Sequence, residues 1–444
     1  MAARPHVPTA PDPGFAELIA ARPALSMHPM DGLMLEQVPL AGLAAAVGTP
    51  LWVLSAGTLR RRLAALRGAL DAALPGMVAI HYAMKANDHL AVLRIMAAGG
   101  AGADVVSGGE LARAQAGGID PADIVFSGVG KTRAEMGQAL ADGVGMINVE
   151  SAEELTRLSA VAVATGRRAR IALRVNPDVD AATHAKITTG LAENKFGIAW
   201  ADAAGLYAHA AGLAGLEPVG LAVHIGSQIL SLAPYRAAYA RVAGLIGDLR
   251  AAGQVVRHLD CGGGLGIGYD GAAELPAAAF AGALRAELGG LGLRLSVEPG
   301  RWLVGPAGLL LASVIQPKRG VGRRFVVLDA AMNDLLRPAL YDAWHGIVPV
   351  SAVDALAPVS ATDVVGPVCE SGDIFARARA LPELAEGALV ALLDGGAYGA
   401  VMSSGYNARP AAAQVLVDGS RWAVIRRRPP VQSLWAGDIC PPWL

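Results

Sequence analysis

A lysine stands at an unusual place in this chain. His81-Tyr82-Ala83-Met84-Lys85-Ala86-Asn87 follows the apolar run Met77-Val78-Ala79-Ile80 and precedes an Asp-led helical pattern, Asp88 to Ala98, so Lys85 is expected where a buried strand gives way to a helix. An ammonium desolvated at such a strand end has its charged form disfavoured, which makes it a nucleophile able to condense with an aldehyde. The plain alternative is a lysine snorkelling out of the strand end.

Three further groups bear on the choice. Gly262-Gly263-Gly264-Leu265-Gly266 follows another strand-like run, and consecutive glycines let backbone N–H groups approach an anion such as a phosphate, or simply make a flexible turn. Glu298-Pro299-Gly300-Arg301 ends a later run: the carboxylate could hold a proton on a pyridine nitrogen and Arg301 could bind phosphate or carboxylate, or the two could form a structural ion pair. His224, in His224-Ile225-Gly226-Ser227-Gln228, reads either as a core histidine or as a flat ring stacked on a flat cofactor. The string Gly266-Ile267-Gly268-Tyr269-Asp270-Gly271 also matches GxGxxG, but the turn inside it and Pro276 soon after leave no helix where a dinucleotide fingerprint needs one.

The elements that would position these groups repeat regularly. Eight short apolar runs, each followed by a helical pattern, are Val78–Met84, Ala103–Val106, Ile124–Ser127, Met146–Val149, Ile171–Val175, Leu221–Ile225, Val256–Cys261 and Leu293–Val297. Ser107 with Glu110, Thr132 with Glu135 and Ser151 with Glu154 form capping boxes directly after strands. Eight βα units predict an α/β fold built on a closed (β/α)8 barrel, with Lys85, His224, the Gly262–Gly264 run and Glu298 at the strands' C-terminal ends, where barrel chemistry sits. Four such groups on one rim favour chemistry over four separate accidents.

Beyond Gly308 the pattern changes to strands: Leu311–Ile315, Phe325–Leu328, Asp363–Val368, Leu389–Leu393 and Gln414–Val417. The expected organisation is a flexible extension over 1–30, a segment 31–55 packing with the second domain, the barrel over 56–308 and a mostly β domain over 309–444. Leu40–Val47 reads as a short helix, Leu51–Leu54 as a strand and Thr58–Leu74 as a helix.

Composition narrows the function classes. A hydrophobic fraction of 53% with 17% charged residues predicts a large core, and a net charge of −1 gives no surface for nucleic acid. No apolar stretch is long enough to span a membrane and Met1–Pro13 lacks the regions of a signal peptide, so a soluble cytoplasmic protein is expected. Cys261, Cys369 and Cys440 are too scattered for a disulfide framework or a metal site.

A resemblance then connects these residues. His81–Asn87, Asp104-Val105-Val106-Ser107-Gly108-Gly109-Glu110-Leu111, Asn194-Lys195-Phe196-Gly197-Ile198, His224–Gln228, Gly262–Gly266, Glu298–Arg301, Arg337-Pro338-Ala339-Leu340-Tyr341, Cys369-Glu370-Ser371-Gly372-Asp373 and Gly396-Ala397-Tyr398 occur in order with ordinary spacing. The set resembles the signature of the diaminopimelate decarboxylase family, pyridoxal-phosphate enzymes with an alanine racemase-like barrel and a β domain. The resemblance covers about residue 30 to the C-terminus. It implies pyridoxal 5'-phosphate as cofactor, Lys85 as the Schiff-base lysine, His224 as the stacking ring and Glu298 as the partner of the pyridine nitrogen. Ser227, Gly262, Gly263, Gly264, Gly300, Arg301 and Tyr398 resemble the phosphate cradle and its surroundings. Arg301, Arg337, Tyr341, Glu370 and Tyr398 resemble substrate contacts.

In the family the Cys369 and Glu370 positions come from the neighbouring subunit, which implies a homodimer with shared sites; otherwise Cys369 is a small buried hydrophobe. The implied reaction is decarboxylation of meso-2,6-diaminopimelate to L-lysine, with Cys369 or Lys85 returning the proton. The alternatives are another basic amino acid decarboxylase of the same fold, acting on ornithine, lysine or arginine, and an amino acid racemase.

Overall fold

Eight parallel strands close on themselves: Val78–Ala83, Gly102–Val105, Ile124–Phe126, Met146–Val149, Ala169–Arg174, Leu216–Ala222, His258–Asp260 and Arg294–Val297. The structure, a computed structural model, describes residues 12–180 and 195–444. Closure is made by the eighth strand pairing with the first, Leu295 opposite Val78 and Val297 opposite Ile80. These strands lie in one compact unit, 59–267 with 273–303; the other comprises 1–58, 268–272 and 304–444.

Local chemistry explains why the barrel elements begin where they do. Thr132 and Glu135 form the full reciprocal capping box. Ser107 and Ser151 each accept from the N–H three residues on, but Glu110 and Glu154 accept from Val106 and Glu150, one residue before the cap. The carboxylate in those two cases therefore ties the helix to the strand end that feeds it, a tighter βα corner than the capping box predicted. The sixth strand differs most from expectation: it begins at Leu216, where Glu217 and Pro218 break the apolar signal, and ends at Ala222. Pro218 sits at a register shift in its pairing with the fifth strand, where its missing N–H is tolerated.

The second unit carries a nine-stranded sheet. Leu51–Ser55 lies within it, antiparallel to Gly308–Gly320 and parallel to Ala413–Asp418. Successive residues of this strand enter opposite layers: Leu51 and Val53 join a core with Leu309 and Leu311, whereas Trp52 joins one with Leu310 and Ala312. Burial on both faces accounts for continuous apolar runs in place of alternation. Three strands of this sheet escaped the sequence reading, Ile347–Pro349, Ile374–Pro382 and Arg421–Arg426. The last two carry arginines among their apolar residues, which dilutes the signal.

Residues 12–30, expected to be flexible, are structured. Phe15–Ala20 is a helix and Leu25–His28 a strand antiparallel to Gly32–Leu35. Buried Arg22 holds the segment, its Nη1 donating to the Leu18 carbonyl at 2.6 Å and its Nε to Asp394 Oδ2 at 3.0 Å. A guanidinium buried against a carboxylate from 372 residues away has no signature in local sequence. No helix among the described residues is long and apolar enough to cross a membrane.

Candidate active site at the barrel's C-terminal rim

The first barrel strand ends at Ala83 and passes into a single 3-10 turn, Met84–Ala86, pinned by the Tyr82 hydroxyl donating to the Asn87 carbonyl at 2.8 Å. The next helix starts at Leu90, with the His89 ring as its cap, while Asp88 pairs with Arg113. Lys85 is thus presented on a short turn. Its side chain is 36% exposed, so the strand end is less dry than expected, and its Nζ meets the fully buried Asp104 at 2.7 Å.

Beneath Lys85 the strands supply polar side chains at inward positions. Asn148 Nδ2 donates to Asp260 Oδ2 at 2.9 Å and to Ser127 Oγ at 3.1 Å, and the Ser127 hydroxyl is 3.5 Å from Glu298 Oε1. Burial pushes the Glu298 carboxyl far above the usual range, and the negative charges of Asp104 and Asp260 add to the effect against the opposing charge of Lys85. Three carboxyl groups facing one lysine cannot all ionise in a dry site, so one keeps its proton. The structure gives that role to Glu298.

His224 lies two residues past the sixth strand. Burial holds its imidazole well below the ordinary histidine value, with Arg174 and Lys85 adding to the depression. The ring is therefore neutral, and its Nδ1 accepts from the Gly263 N–H at 3.3 Å, leaving the proton on Nε2. Arg174 in turn is held by Glu150 at 2.9 Å and lies over the Phe196 ring, 5.1 Å from its centre.

The glycine loop has its own reason for being glycine. A Cβ on Gly263 would fall 2.0 Å from the Glu298 carbonyl, and Gly264 has φ +95°, where an added Cβ would meet the Gly226 carbonyl at 2.5 Å. Close backbone approach, rather than an anion, excludes side chains here. Gly262 N–H donates to Asp260 Oδ1 and Gly263 N–H to His224, so two of the three amides are occupied inside the barrel. Ser227 Oγ accepts from Arg301 Nη2 at 3.1 Å nearby in the same unit.

Together these residues bound a cavity of about 370 Å³ that includes Lys85, Ser127, Asn148, Arg174, His224 and Glu298. That is the size of a small-molecule site. Residues 56–305 match the model of the pyridoxal-binding domain of pyridoxal-dependent decarboxylases. The chain is 47% identical over 414 residues to diaminopimelate decarboxylase of Zymomonas mobilis, covering 93% of this chain and 98% of that protein. It is 49% identical to the Pseudomonas aeruginosa enzyme of that name, covering 91% and 96%. The crystal structure of diaminopimelate decarboxylase from Helicobacter pylori complexed with L-lysine superposes with a TM-score of 0.85 at 39% identity, covering 89% of this chain and 98% of that one.

The chain belongs to the diaminopimelate decarboxylase family.

The cofactor of this pyridoxal-dependent family fits the cavity on three observations. Lys85 is an amine in its lining, Glu298 a buried carboxyl whose ionisation is disfavoured and which is able to face a ring nitrogen, and Asn148 Oδ1 is buried in its wall with no hydrogen-bond partner among the described residues. Of the residues that the family resemblance singles out, the barrel unit contains Lys85, His224, Ser227, Gly262, Gly263, Gly264, Glu298, Gly300 and Arg301, of which Lys85, His224 and Glu298 line the cavity. A methyl on Gly300 would crowd Ala83 and Ala86 at 3.2 Å, so this glycine seats the Lys85 turn.

Arg337, Tyr341, Cys369, Glu370 and Tyr398 belong to the other unit. Arg337 and Tyr341 open and close one short helix; Arg337 is buried, with Nη1 2.6 Å from His345 Nε2 and its guanidinium 4.5 Å from the centre of the Tyr269 ring. Cys369 is exposed, not a buried hydrophobe, and its N–H donates to Asn407 Oδ1 at 3.1 Å. Glu370 hydrogen-bonds the Tyr406 hydroxyl, and Tyr398 holds a left-handed backbone with φ +56°. Asn194 of the Asn194–Ile198 motif lies outside the described residues.

Sequence reasoning gave no role to Ser127, Asn148, Asp260 or Arg174. Their signal was present: each is a polar residue within or ending an otherwise apolar barrel strand, and burying it requires partners.

Proposed function

We propose that this chain catalyses the pyridoxal-phosphate-dependent decarboxylation of meso-2,6-diaminopimelate to L-lysine and CO2, the last step of lysine biosynthesis, as a cytoplasmic homodimer with shared sites. The observation that carries the reading is the buried Glu298 carboxyl, its ionisation disfavoured, in a cavity of ligand size with Lys85, itself paired to Asp104. The family and the lysine-bound relative supply the substrate class. Scattered reduced cysteines are consistent with a cytoplasmic setting.

Bound pyridoxal phosphate supplies the electron sink that accepts the pair left on the α-carbon as CO2 departs. Lys85 would hold the cofactor through its amine, placed by the turn that Gly300 seats. Glu298 holds a proton at its carboxyl oxygen for the ring nitrogen, and Asp260, Asn148 and Ser127 fix that carboxyl in place. Neutral His224 offers its flat face to the ring, oriented by the Gly263 N–H. Phosphate binding falls to Ser227, Arg301, Gly300 and the amides of Gly264 and Leu265, with Tyr398, since the Gly262, Gly263, Gly266 and Ile267 amides have partners within the barrel.

For the substrate's remote end, Arg301, Arg337, Tyr341, Glu370 and Tyr398 are the contacts the family resemblance supports. A guanidinium matches a carboxylate in a planar fork, which selects diaminopimelate over lysine or ornithine. Cys369, an exposed thiol, is the proposed proton donor to the α-carbon, with Lys85 as the competing donor.

The test is to offer the loaded enzyme a panel of amino acids and identify products. L-Lysine and CO2 from meso-diaminopimelate, without cadaverine from lysine or putrescine from ornithine, is the expected result; diamine formation, or inversion without CO2, overturns it. Arg337→Leu should lower kcat/KM for diaminopimelate at least about tenfold with the cofactor spectrum intact. Mixing Lys85→Ala with Cys369→Ala protein should restore up to about a quarter of wild-type activity if sites are shared, since half the dimers are mixed and each has one intact site.

A further inference from the structure

The barrel has a second cavity of about 400 Å³, lined by residues that begin the strands. Ala79, Ile124, Met146, Arg170, His258 and Arg294 each stand at the first or second position of a barrel strand, the pole opposite Lys85 and Glu298. Chemistry in such barrels sits at the other end, and none of the lining residues belongs to the site described above.

The lining has an unusual charge. Arg67 reaches it from the helix Ala56–Ala73, Arg170 from the fifth strand and Arg294 from the eighth, while Asp71 is the only carboxylate among the described residues that line it. Among the described residues none of these three arginines makes an ion pair, and Arg67 Nη2 is buried with no hydrogen-bond partner. Arginine does not shed its proton to escape repulsion, so three guanidinium groups around one concavity remain charged. Some barrel arginines have a carboxylate within reach, as Arg62 has Glu274 at 2.7 Å and Arg257 has Glu217 at 3.1 Å; here three that do not are gathered around one concavity.

A second observation points to a ligand. His81, on the first strand and only 9% exposed, lines the same cavity and its Nδ1 is buried without a partner among the described residues. Neighbouring His258, paired in register with Arg294, has its Nε2 engaged with Ser296 Oγ at 3.1 Å. An unsatisfied guanidinium N–H, a buried ring nitrogen awaiting a partner, an excess of arginine over carboxylate and a concave wall suit an oxyanion, because a guanidinium presents two parallel N–H groups to two oxygens.

We propose that this pole of the barrel is a binding site for a small, multiply charged oxyanion, a phosphate or a polycarboxylate, held by Arg67, Arg170 and Arg294. The volume admits an organic anion as well as inorganic phosphate. Its place at the far end of the strands makes the site independent of the substrate and cofactor.

Calorimetric titration of the pyridoxal-phosphate-loaded protein at low ionic strength, first with inorganic phosphate and separately with citrate, tests the site. One equivalent per chain of at least one probe should bind saturably, whereas acetate should not. Phosphate alone would assign a phosphoryl ligand, and citrate alone a polycarboxylate; either supports the proposal. Arg170→Ala/Arg294→Ala should bind the active probe at least tenfold more weakly with cofactor absorbance unchanged. Arg67→Gln, altered on a helix instead of a strand, should weaken it independently. No saturable binding of either probe, equal binding by acetate, or unchanged affinity in the variants overturns the proposal.

Discussion

The two poles of the barrel are built from the same eight strands, yet they treat charge in opposite ways. At the C-terminal rim the charged groups meet partners: Lys85 is paired with Asp104 and Arg174 with Glu150, while burial and the charges of Asp104 and Asp260 disfavour ionisation of Glu298. At the N-terminal pole Arg67, Arg170 and Arg294 face one cavity with no ion-pair partner among the described residues. The rim carries counter-charges within its own walls; the opposite pole sets three arginines against one lining carboxylate, Asp71.

Substitutions at the rim should have the largest effects. Lys85→Ala should lower CO2 release from diaminopimelate by about 10³-fold or more, the range expected for removing a covalent anchor. Borohydride reduction and peptide mapping of the wild type should place the pyridoxyl adduct on Lys85; an adduct on another lysine would break the comparison at its centre.

Glu298→Gln should lower kcat by about 10²-fold, as loss of a positioned proton donor does. Its thermal midpoint should hardly move, because burial already disfavours the ionised form of this carboxyl and an amide of the same shape costs little there. A large loss of stability with unchanged kcat would make Glu298 a structural group.

The opposite pole should reveal itself through pH. Burial holds His258 down from 6.5 to about 4, with His81, Arg170 and Arg294 opposing its charge and Asp260 favouring it. The folded state therefore binds fewer protons than the unfolded state between those values. The associated stability is complete above about pH 6.5 and is lost as pH falls toward 4, on the order of 2 kcal/mol. Denaturant melts of His258→Gln in a buffer without multivalent anions should show a flatter profile across that window; an unchanged slope would mean that His258 is charged in the folded state.

The smallest effect is expected from the arginines themselves. Arg170→Ala and Arg294→Ala should leave kcat/KM within about twofold, since a surface charge this far from the reacting atoms contributes little through solvent. A tenfold loss would show that the two poles act as one site.

How much of this was legible in the chain depends on the distance over which each feature is decided. The strand-to-turn presentation of Lys85, the capped helices after the second, third and fourth strands, and the βα period follow from local propensity and capping, which sequence carries directly. The sixth strand's true limits were hidden by Glu217 and Pro218, acceptable only because a neighbouring strand tolerates the irregular register. The structured segment around Arg22 was hidden because its stabilising partner, Asp394, lies in a distant part of the chain.

The sequence by itself determined which residues stand at the ends of strands, because the two-residue alternation and the turns between elements are local. Closure of the barrel decided which of those residues meet. Asn148 reaches Asp260 across 112 residues and Ser127 approaches Glu298 across 171, and only these meetings turn buried polar residues into a network that leaves one carboxyl protonated. The same closure gathers Arg170 and Arg294 at the other pole, where nothing from their own sequence neighbourhoods neutralises them. Local forces set the identity and direction of each side chain; its dielectric surroundings and charged neighbours, and hence its protonation state, exist only once the strands have closed.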